Sequence, residues 1–275
     1  MLITRRLAVA VLAATVVCAG CATPVANVMS ASSTRSAASV ATSPVVTRSE
    51  KPLAGETVGI DPGHDGGNFT HPAYINGLIW NGRAEETCDT TGTATASGYT
   101  EAQFNFNVAA DLRADLIADG ARVVMTRDDN HGVGPCVTTR ADIINQAHAD
   151  VAIDIHADGG PVDGRGFAVL EPVADGPNDK VISASIAFGG DVRAAMLTYT
   201  TMPESNYYGT AGVMERDDLA GLNLTTVPKI LIECGNMPNP TDARMLTSPA
   251  FQQQVARAFA AAIVAFLTGR PIQKG

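Results

Sequence analysis

Four polar residues lie where apolar segments end or where a helix is expected to begin. His64, His156 and Glu233 each follow a short apolar run, and Glu101 comes directly after Thr100, a residue suited to capping a helix. Sites in α/β proteins are assembled at the carboxyl ends of parallel strands. Two neutral imidazoles and a carboxylate can bind a catalytic zinc ion that keeps one position open, and a further carboxylate can then act as the base. These residues predict a zinc hydrolase.

Taken one at a time, the same residues have structural explanations. His64 could be a turn histidine satisfied by backbone groups, and Glu101 could simply favour the positive end of a helix dipole. His156 lies between two aspartates that could orient its ring. Glu233 is the hardest to explain structurally because it directly follows three apolar residues, and a buried carboxylate is costly unless a cation, a metal or a proton compensates it.

The elements that must position these residues follow an α/β pattern from residue 56 onward. Short Val- and Ile-rich runs alternate with helical periods, which predicts a single α/β domain with a mostly parallel, twisted sheet of about six strands and helices on both faces. We expect residues 64–100 to form a long loop with a hairpin around residues 75–78, and residues 198–226 to be irregular. The predicted strands are 58–61, 122–126, 151–156, 166–171 and 229–233, and the predicted helices are 101–119, 140–147, 181–197 and 249–267.

The first residues predict export. Arg5 and Arg6 form a positive segment, and residues 7–19 are apolar but too short to cross a bilayer as a stable helix. We expect a signal peptide over residues 1–22 and no stable membrane span, so that the mature protein is periplasmic, bound to the cell wall or secreted. Lipid anchoring at Cys21 and plain signal cleavage remain alternatives.

Two segments are expected after the signal peptide. Residues 23–55, rich in Ser, Ala and Thr, predict a disordered linker, and residues 56–270 predict the folded domain. The formal net charge of −9, with 28 acidic against 19 basic residues, argues against a nucleic-acid partner. We expect a monomer.

Three cysteines remain after the predicted signal peptide, and an oxidising compartment favours a bond between two of them. Counting alone leaves the pairing open. Cys88 and Cys136 both lie in loops rich in Gly and Thr, whereas Cys234 directly follows an apolar strand, where a thiol behaves as a small hydrophobic group. We therefore predict a disulfide between Cys88 and Cys136.

Several short motifs succeed one another along the chain in a distinctive order. They are Ile60–His64, the helix that opens at Glu101, Val123–Arg127, Arg140–Asn145, Ile155–Ala157 and Leu231–Gly235. Together they resemble the successive motifs of the zinc-dependent N-acetylmuramoyl-L-alanine amidases, the amidase type 3 family, over residues 57–267. This resemblance implies that residues 56–270 form a zinc amidase catalytic domain.

The resemblance also assigns roles to the site residues. It implies that His64, Glu101 and His156 bind one Zn²⁺ ion and that Glu233 is the catalytic acid or base. The implied reaction is hydrolysis of the amide between N-acetylmuramic acid and the L-alanine of a peptidoglycan stem peptide, in cell-wall remodelling or turnover. Peptidoglycan or muropeptide fragments would be the partners. Substrate contacts are less well defined, with His71, Arg216 and Asn236 as candidates.

Two other functions are compatible with parts of the pattern. A peptidoglycan-binding protein that has the fold but weak catalysis would lack a ligand or the late glutamate, and neither is missing. A zinc peptidase could share the His, Glu and His ligands, but such enzymes place the first His and the Glu about three residues apart. Here 37 positions separate His64 from Glu101, which favours the amidase.

Overall fold

The computed structural model of the protein describes residues 51–273. The predicted signal peptide, Cys21 and most of the predicted linker therefore lie outside the described residues. Residues 51–55, which their composition places in the disordered linker, belong to the described part of the chain. Leu53 is fully buried in the main core, and its backbone N–H donates to the carbonyl oxygen of Asp119 at 3.0 Å. One apolar side chain thus extends the ordered domain to before residue 56.

A six-stranded sheet forms the centre of the domain, as predicted. In chain order the strands are β1 (Thr57–Pro62), β2 (Leu78–Trp80), β3 (Glu85–Thr87), β4 (Arg122–Met125), β5 (Val151–Asp158), β6 (Ala168–Pro172), β7 (Val213–Arg216) and β8 (Lys229–Asn236). The large sheet has the order β4-β1-β5-β8-β6-β7, and β2 and β3 form a separate antiparallel hairpin. The first four strands of the large sheet are parallel, whereas β6 runs antiparallel to β8 and parallel to β7.

Helices cover both faces of the sheet. They are α1 (Pro72–Ile75), α2 (Glu101–Ala118), α3 (Val137–Gln146), α4 (Ile182–Tyr199), α5 (Ala220–Asn223), α6 (Pro240–Leu246) and α7 (Pro249–Thr268). The main core joins α2, α4 and α7 to one face, where Val58, Ile153 and Ile232 are fully buried. A smaller cluster on the opposite face packs Ile144 of α3 against Ala152 of β5.

Two of these helices are long and apolar enough to cross a membrane by length and composition. They are α4, counted together with the short turn before it, and α7. The two helices lie against each other, α4 also packs on β6 and β8 and α7 on α2, and the rings of Phe188 and Phe266 are 5.3 Å apart. Phe259 and Ile263 of α7 are fully buried. Their apolar composition thus serves the core of the domain.

Several short elements differ from the sequence-based expectation. The segment 198–226 contains β7 and α5, and the hairpin spans residues 78–87 rather than residues around 75–78, where α1 is found instead. β7 has only four residues and no apolar alternation; its backbone is stabilised by pairing with β6. Such strands depend on a neighbour that is distant in sequence, so local pattern does not predict them.

Strand alternation and register bring the predicted site residues to one face. His156 of β5 lies directly beside Glu233 of β8, and Asp61 of β1 lies beside Asp154 of β5. Because side chains two positions apart share a face, Asp154 and His156 both point to the side of α3 and α5, away from the main apolar core. The middle strands of the sheet therefore carry a row of polar residues on this face.

A buried charge cluster lies at the start of this polar row. The Lys229 ammonium group is 2.8 Å from Asp61 Oδ2 and 3.3 Å from Asp154 Oδ2, and Arg140 Nη1 is 3.1 Å from Asp61 Oδ1. Lys229 is only 1% exposed. Burial lowers the pKa of Lys229, but the charges of Asp154 and Asp61 outweigh it and raise the pKa above its usual value. The cation therefore stays charged and links β1, β5 and β8.

We predict that Lys229→Met destabilises the domain strongly. Removal of one partner from a buried ionic cluster leaves the other charges uncompensated, which costs about 3–5 kcal/mol. Urea unfolding measures this loss. Lys180→Met, the same change at an exposed lysine, serves as the control and should alter the free energy of unfolding by less than about 0.5 kcal/mol. Similar stability of the two variants would contradict a structural role for the cluster.

Candidate active site

The three predicted metal ligands converge on one point at the carboxyl edge of the sheet. Glu101 Oε1 lies 2.8 Å from His156 Nδ1 and 3.2 Å from His64 Nε2, and one ligand atom of each residue lies within 4.8 Å of the others. A tetrahedral ion with bonds of about 2.1 Å holds its ligand atoms about 3.4 Å apart. Two imidazole nitrogens and one carboxylate oxygen at this spacing can hold one metal ion.

The backbone at Gly63 and His64 passes very close to the ring of His156. His64 has a φ of 59°, a left-handed conformation that a non-glycine residue rarely adopts and that is found at functional sites. A Cβ atom on Gly63 would lie 2.2 Å from His156 Nε2, so glycine is required for the two histidines to meet. The Arg127 guanidinium group donates to the carbonyl oxygens of Gly63 and Ala102 and thereby ties this turn to the start of α2.

Each imidazole has a carboxylate against its second nitrogen. His64 Nδ1 is 3.2 Å from Asp89 Oδ1, and His156 Nε2 is 3.3 Å from Asp154 Oδ1. Such contacts orient a ligand ring and select the tautomer that leaves the other nitrogen free for a metal. The sequence did not point to Asp89, because this residue is one of many polar residues in a long polar loop. The signal that could have found it is its position directly after Cys88.

The Cys88–Cys136 disulfide is present, as predicted, and Cys234 is buried and free. The bond joins the loop that carries Asp89 to the residue that caps α3. Arg140, one turn into α3, reaches back to Asp89 Oδ2 at 3.2 Å. The disulfide and this ion pair together hold the orienting carboxylate in place beside His64.

The charges of the ligand residues influence one another strongly. Burial lowers the pKa of His64, but the nearby charge of Glu101 outweighs it and raises the pKa to about 9. Burial likewise favours the uncharged form of Glu101, yet the two histidines hold its pKa well below the usual range. The carboxylate is therefore ionised at neutral pH and ready to bind a cation.

Glu233 lies beside these ligands without being one of them. The residue is partly exposed to the cavity, while its Oε2 atom is buried and has no hydrogen-bond partner among the described residues. Burial is the largest cause that raises the pKa of Glu233 to about 8, assisted by the charges of Glu101 and Asp158. A carboxyl group with such a pKa exchanges protons readily near neutral pH, as a general acid and base must.

The four residues line one cavity of about 440 Å³. Arg216 and Tyr208 also line this cavity, so Arg216, a candidate for substrate contact, is brought to the site. The guanidinium Nε and Nη2 atoms of Arg216 donate to the two carboxylate oxygens of Asp218 at 2.6 and 2.8 Å. Its Nη1 atom contacts the hydroxyl group of Tyr208.

The other two candidates for substrate contact lie elsewhere. Asn236 is fully buried, and its amide nitrogen donates to the carbonyl oxygens of Pro161 and Gly164, so it supports a loop. His71 is exposed outside the cavity, where its ring contacts Thr70. Tyr207, which no sequence pattern singles out, donates its hydroxyl hydrogen to Oδ2 of the cavity-lining Asp158 at 2.7 Å.

Comparisons with known proteins agree with this geometry. A family model described as N-acetylmuramoyl-L-alanine amidase matches residues 58–265. An N-acetylmuramoyl-L-alanine amidase of Mycobacterium tuberculosis is 38% identical over 222 residues, which cover 78% of this chain and 88% of that protein.

Solved structures show the same relationship. The crystal structure of the amidase Ami1 of Mycobacterium smegmatis superposes with a TM-score of 0.74 at 38% identity and covers 79% of this chain and 99% of that one. The apo form of Ami1 from Mycobacterium abscessus also has a TM-score of 0.74, at 39% identity, with 78% of this chain and 100% of that chain covered. The chain therefore belongs to the N-acetylmuramoyl-L-alanine amidase family.

Proposed function

We propose that this amidase uses one Zn²⁺ ion held by His64, Glu101 and His156 to hydrolyse the bond between N-acetylmuramic acid and the L-alanine of peptidoglycan stem peptides. The observation that carries the proposal is the position of Glu101 Oε1 between two imidazole nitrogens, beside a Glu233 carboxyl group with a buried, unpartnered oxygen. Two imidazoles and one carboxylate suit zinc and leave a position open for substrate or water.

In this mechanism, bound zinc supplies Lewis acidity, which polarises the amide carbonyl and makes water more acidic. Glu233 removes a proton from the attacking water while the water oxygen bonds to the carbonyl carbon. Glu233 then delivers that proton to the amide nitrogen as the carbon–nitrogen bond breaks, so that the stem peptide leaves with a free amine. Proton transfer of this kind contributes about 10² to 10⁴ in rate. The raised pKa of Glu233 suits both halves of the task.

The two alternative functions are less well supported. A protein that only binds peptidoglycan has no use for an unpartnered, buried carboxylate oxygen beside a metal-ligand set, because such a group destabilises the fold. A zinc peptidase would release amino acids or cleave the stem peptide internally. Mass spectrometry of muropeptide digests separates the possibilities, because only the amidase releases an intact stem peptide with a free L-alanine amine.

We further propose that the protein is exported and acts on the cell wall. The basic and apolar segments of residues 1–22 match a signal peptide, with lipid attachment at Cys21 as the alternative to plain cleavage. The Cys88–Cys136 disulfide supports an oxidising compartment. The catalytic domain would then comprise the proposed residues 56–270 together with the ordered residues that directly precede them.

We predict that Glu233→Gln abolishes turnover and leaves the zinc content unchanged. Glutamine keeps the shape of the side chain but cannot carry the proton, so the rate should fall by about 10² to 10⁴. Mass spectrometry of released stem peptides measures the rate, and atomic absorption measures the metal. The control is Glu215→Gln, the same substitution at an exposed position of β7, which should retain full activity. Full activity of Glu233→Gln would exclude the proposed role.

We also predict that zinc affinity weakens as the pH falls below about 9. The pKa of His64 is raised to about 9, so a proton occupies this imidazole at lower pH and must leave before a metal binds. Each displaced proton weakens apparent affinity about tenfold per pH unit. Competition with a zinc-binding dye between about pH 6 and about pH 9 measures the slope.

The control variants for this prediction are two histidine substitutions. His64→Ala should lose the metal, because it removes a ligand, whereas His71→Ala should bind zinc like the unmodified protein. A zinc affinity that does not change with pH, or a zinc content that survives His64→Ala, would remove His64 from the ligand set.

A further inference from the structure

Exposed apolar side chains are concentrated in one part of the domain. Of the eight large hydrophobic side chains exposed in residues 51–273, four fall within residues 69–80: Phe69, Tyr74, Leu78 and Trp80. Single exposed apolar residues are common on protein surfaces, whereas a local group of them marks a binding surface. Leu78 is 64% exposed and Trp80 is 59% exposed, and both belong to β2.

The β2–β3 hairpin presents these two side chains on one face. Leu78 pairs with Thr87 and Trp80 pairs with Glu85, so these four side chains lie on the same side of the hairpin. Thr87 also lines the active-site cavity. Glu86 of the opposite face lines the same cavity, so the hairpin forms part of the cavity rim, and the exposed hairpin face, defined by Leu78, Trp80, Glu85 and Thr87, borders the catalytic site at Thr87.

The hairpin is firmly attached to the rest of the domain. Asn81 in its turn donates to the carbonyl oxygen of Asp218 at 3.1 Å, and Asn223 donates to the carbonyl oxygen of Asn81 at 3.0 Å. On the opposite face, Glu86 Oε1 accepts from the backbone N–H of Ala220 at 3.2 Å. These contacts hold the backbone on both sides of Trp80, so little backbone ordering remains when a ligand covers the hairpin.

We propose that the exposed hairpin face binds the glycan strand of peptidoglycan while the amide bond lies in the cavity. This inference rests on the proposed amidase function. A sugar ring has an apolar face that can pack on the flat surface of Trp80, as apolar groups pack on aromatic rings. Its hydroxyl and acetamido groups can donate to Glu85, which lies directly opposite Trp80 in register.

Charge favours the glycan over the stem peptide as the occupant. Glu85 is an exposed acidic residue of the hairpin face, and none of the ion pairs within residues 51–273 includes it, whereas Asp217 and Asp218 are paired with Arg83 and Arg216. Stem peptides carry free carboxylates, which the Glu85 carboxylate repels, whereas N-acetylated sugars are neutral. The hairpin face thus supplies a binding surface beyond the cavity itself.

The chain contains one tryptophan, so tryptophan fluorescence reports on Trp80 directly. The probes are a soluble oligomer of N-acetylglucosamine and, separately, a stem peptide without sugar. The sugar oligomer should change the fluorescence in a saturable way, and the peptide should not. A response to the peptide alone, or no response to the sugar, would overturn the proposal.

A pair of variants extends the test to catalysis. Trp80→Ala should lower hydrolysis of insoluble peptidoglycan about tenfold, and it should leave hydrolysis of a soluble N-acetylmuramoyl dipeptide within about twofold of the unmodified protein. Trp80→Phe should retain most of the activity on the polymer because it keeps an aromatic ring. The control is Leu197→Ala, which removes an apolar side chain that is 47% exposed on α4 and should act normally on both substrates.

The other outcomes are equally informative. An equal loss on both substrates would mean that Trp80 supports the fold or the cavity, and no loss on either would mean that the hairpin face does not bind glycan; both overturn the proposal. If the unmodified protein cleaves neither substrate, the proposed amidase function fails, and the fluorescence titration with sugar still decides whether the glycan surface exists.

Discussion

The contact on which the rest of the site depends is the buried ammonium group of Lys229 between Asp61 and Asp154. It links three parallel strands at the same level, which favours their register over any shifted alternative, since a shift would leave these charges unpaired in the core. The other carboxylate oxygen of Asp154 lies 3.3 Å from Nε2 of His156. The charge that stabilises the sheet therefore also contacts one of the proposed metal ligands.

Arg140 connects this charge cluster to the second histidine. Its guanidinium group reaches Asp61 in the sheet and Asp89 in the long loop, and Asp89 in turn contacts His64. Both histidines are thus oriented by carboxylates whose own charges are neutralised by buried cations. This arrangement leaves Glu101 as the ionised group between the rings, and it leaves the Oε2 atom of Glu233 without a hydrogen-bond partner among the described residues. Glu101 and Glu233 are both glutamates, and their different surroundings suit them to the two proposed roles of metal ligand and proton carrier.

Much of the fold could be predicted from the sequence because its signals are local. Apolar runs predicted β1, β5 and β8, the Thr100–Glu101 pair predicted the start of α2, and loop composition predicted the disulfide. The elements that local pattern did not predict, such as β7 and α5, are short and depend on pairing or packing with distant segments. A single apolar residue among polar ones does not predict an ordered segment, so composition places residues 51–55 in the linker. In the structure, Leu53 is fully buried.

By itself, the sequence determined which residue types stand at the ends of the strands, and hence that His64, Glu101, His156 and Glu233 could form a hydrolytic metal site. Only the tertiary structure decided which neighbours serve them. It placed Asp89 against His64 and Arg216 in the cavity, and it engaged Asn236 in supporting a loop. The physical reason is that residue type and spacing encode what a side chain can do, whereas burial, charge pairing and hydrogen bonding arise from contacts between segments far apart in the chain.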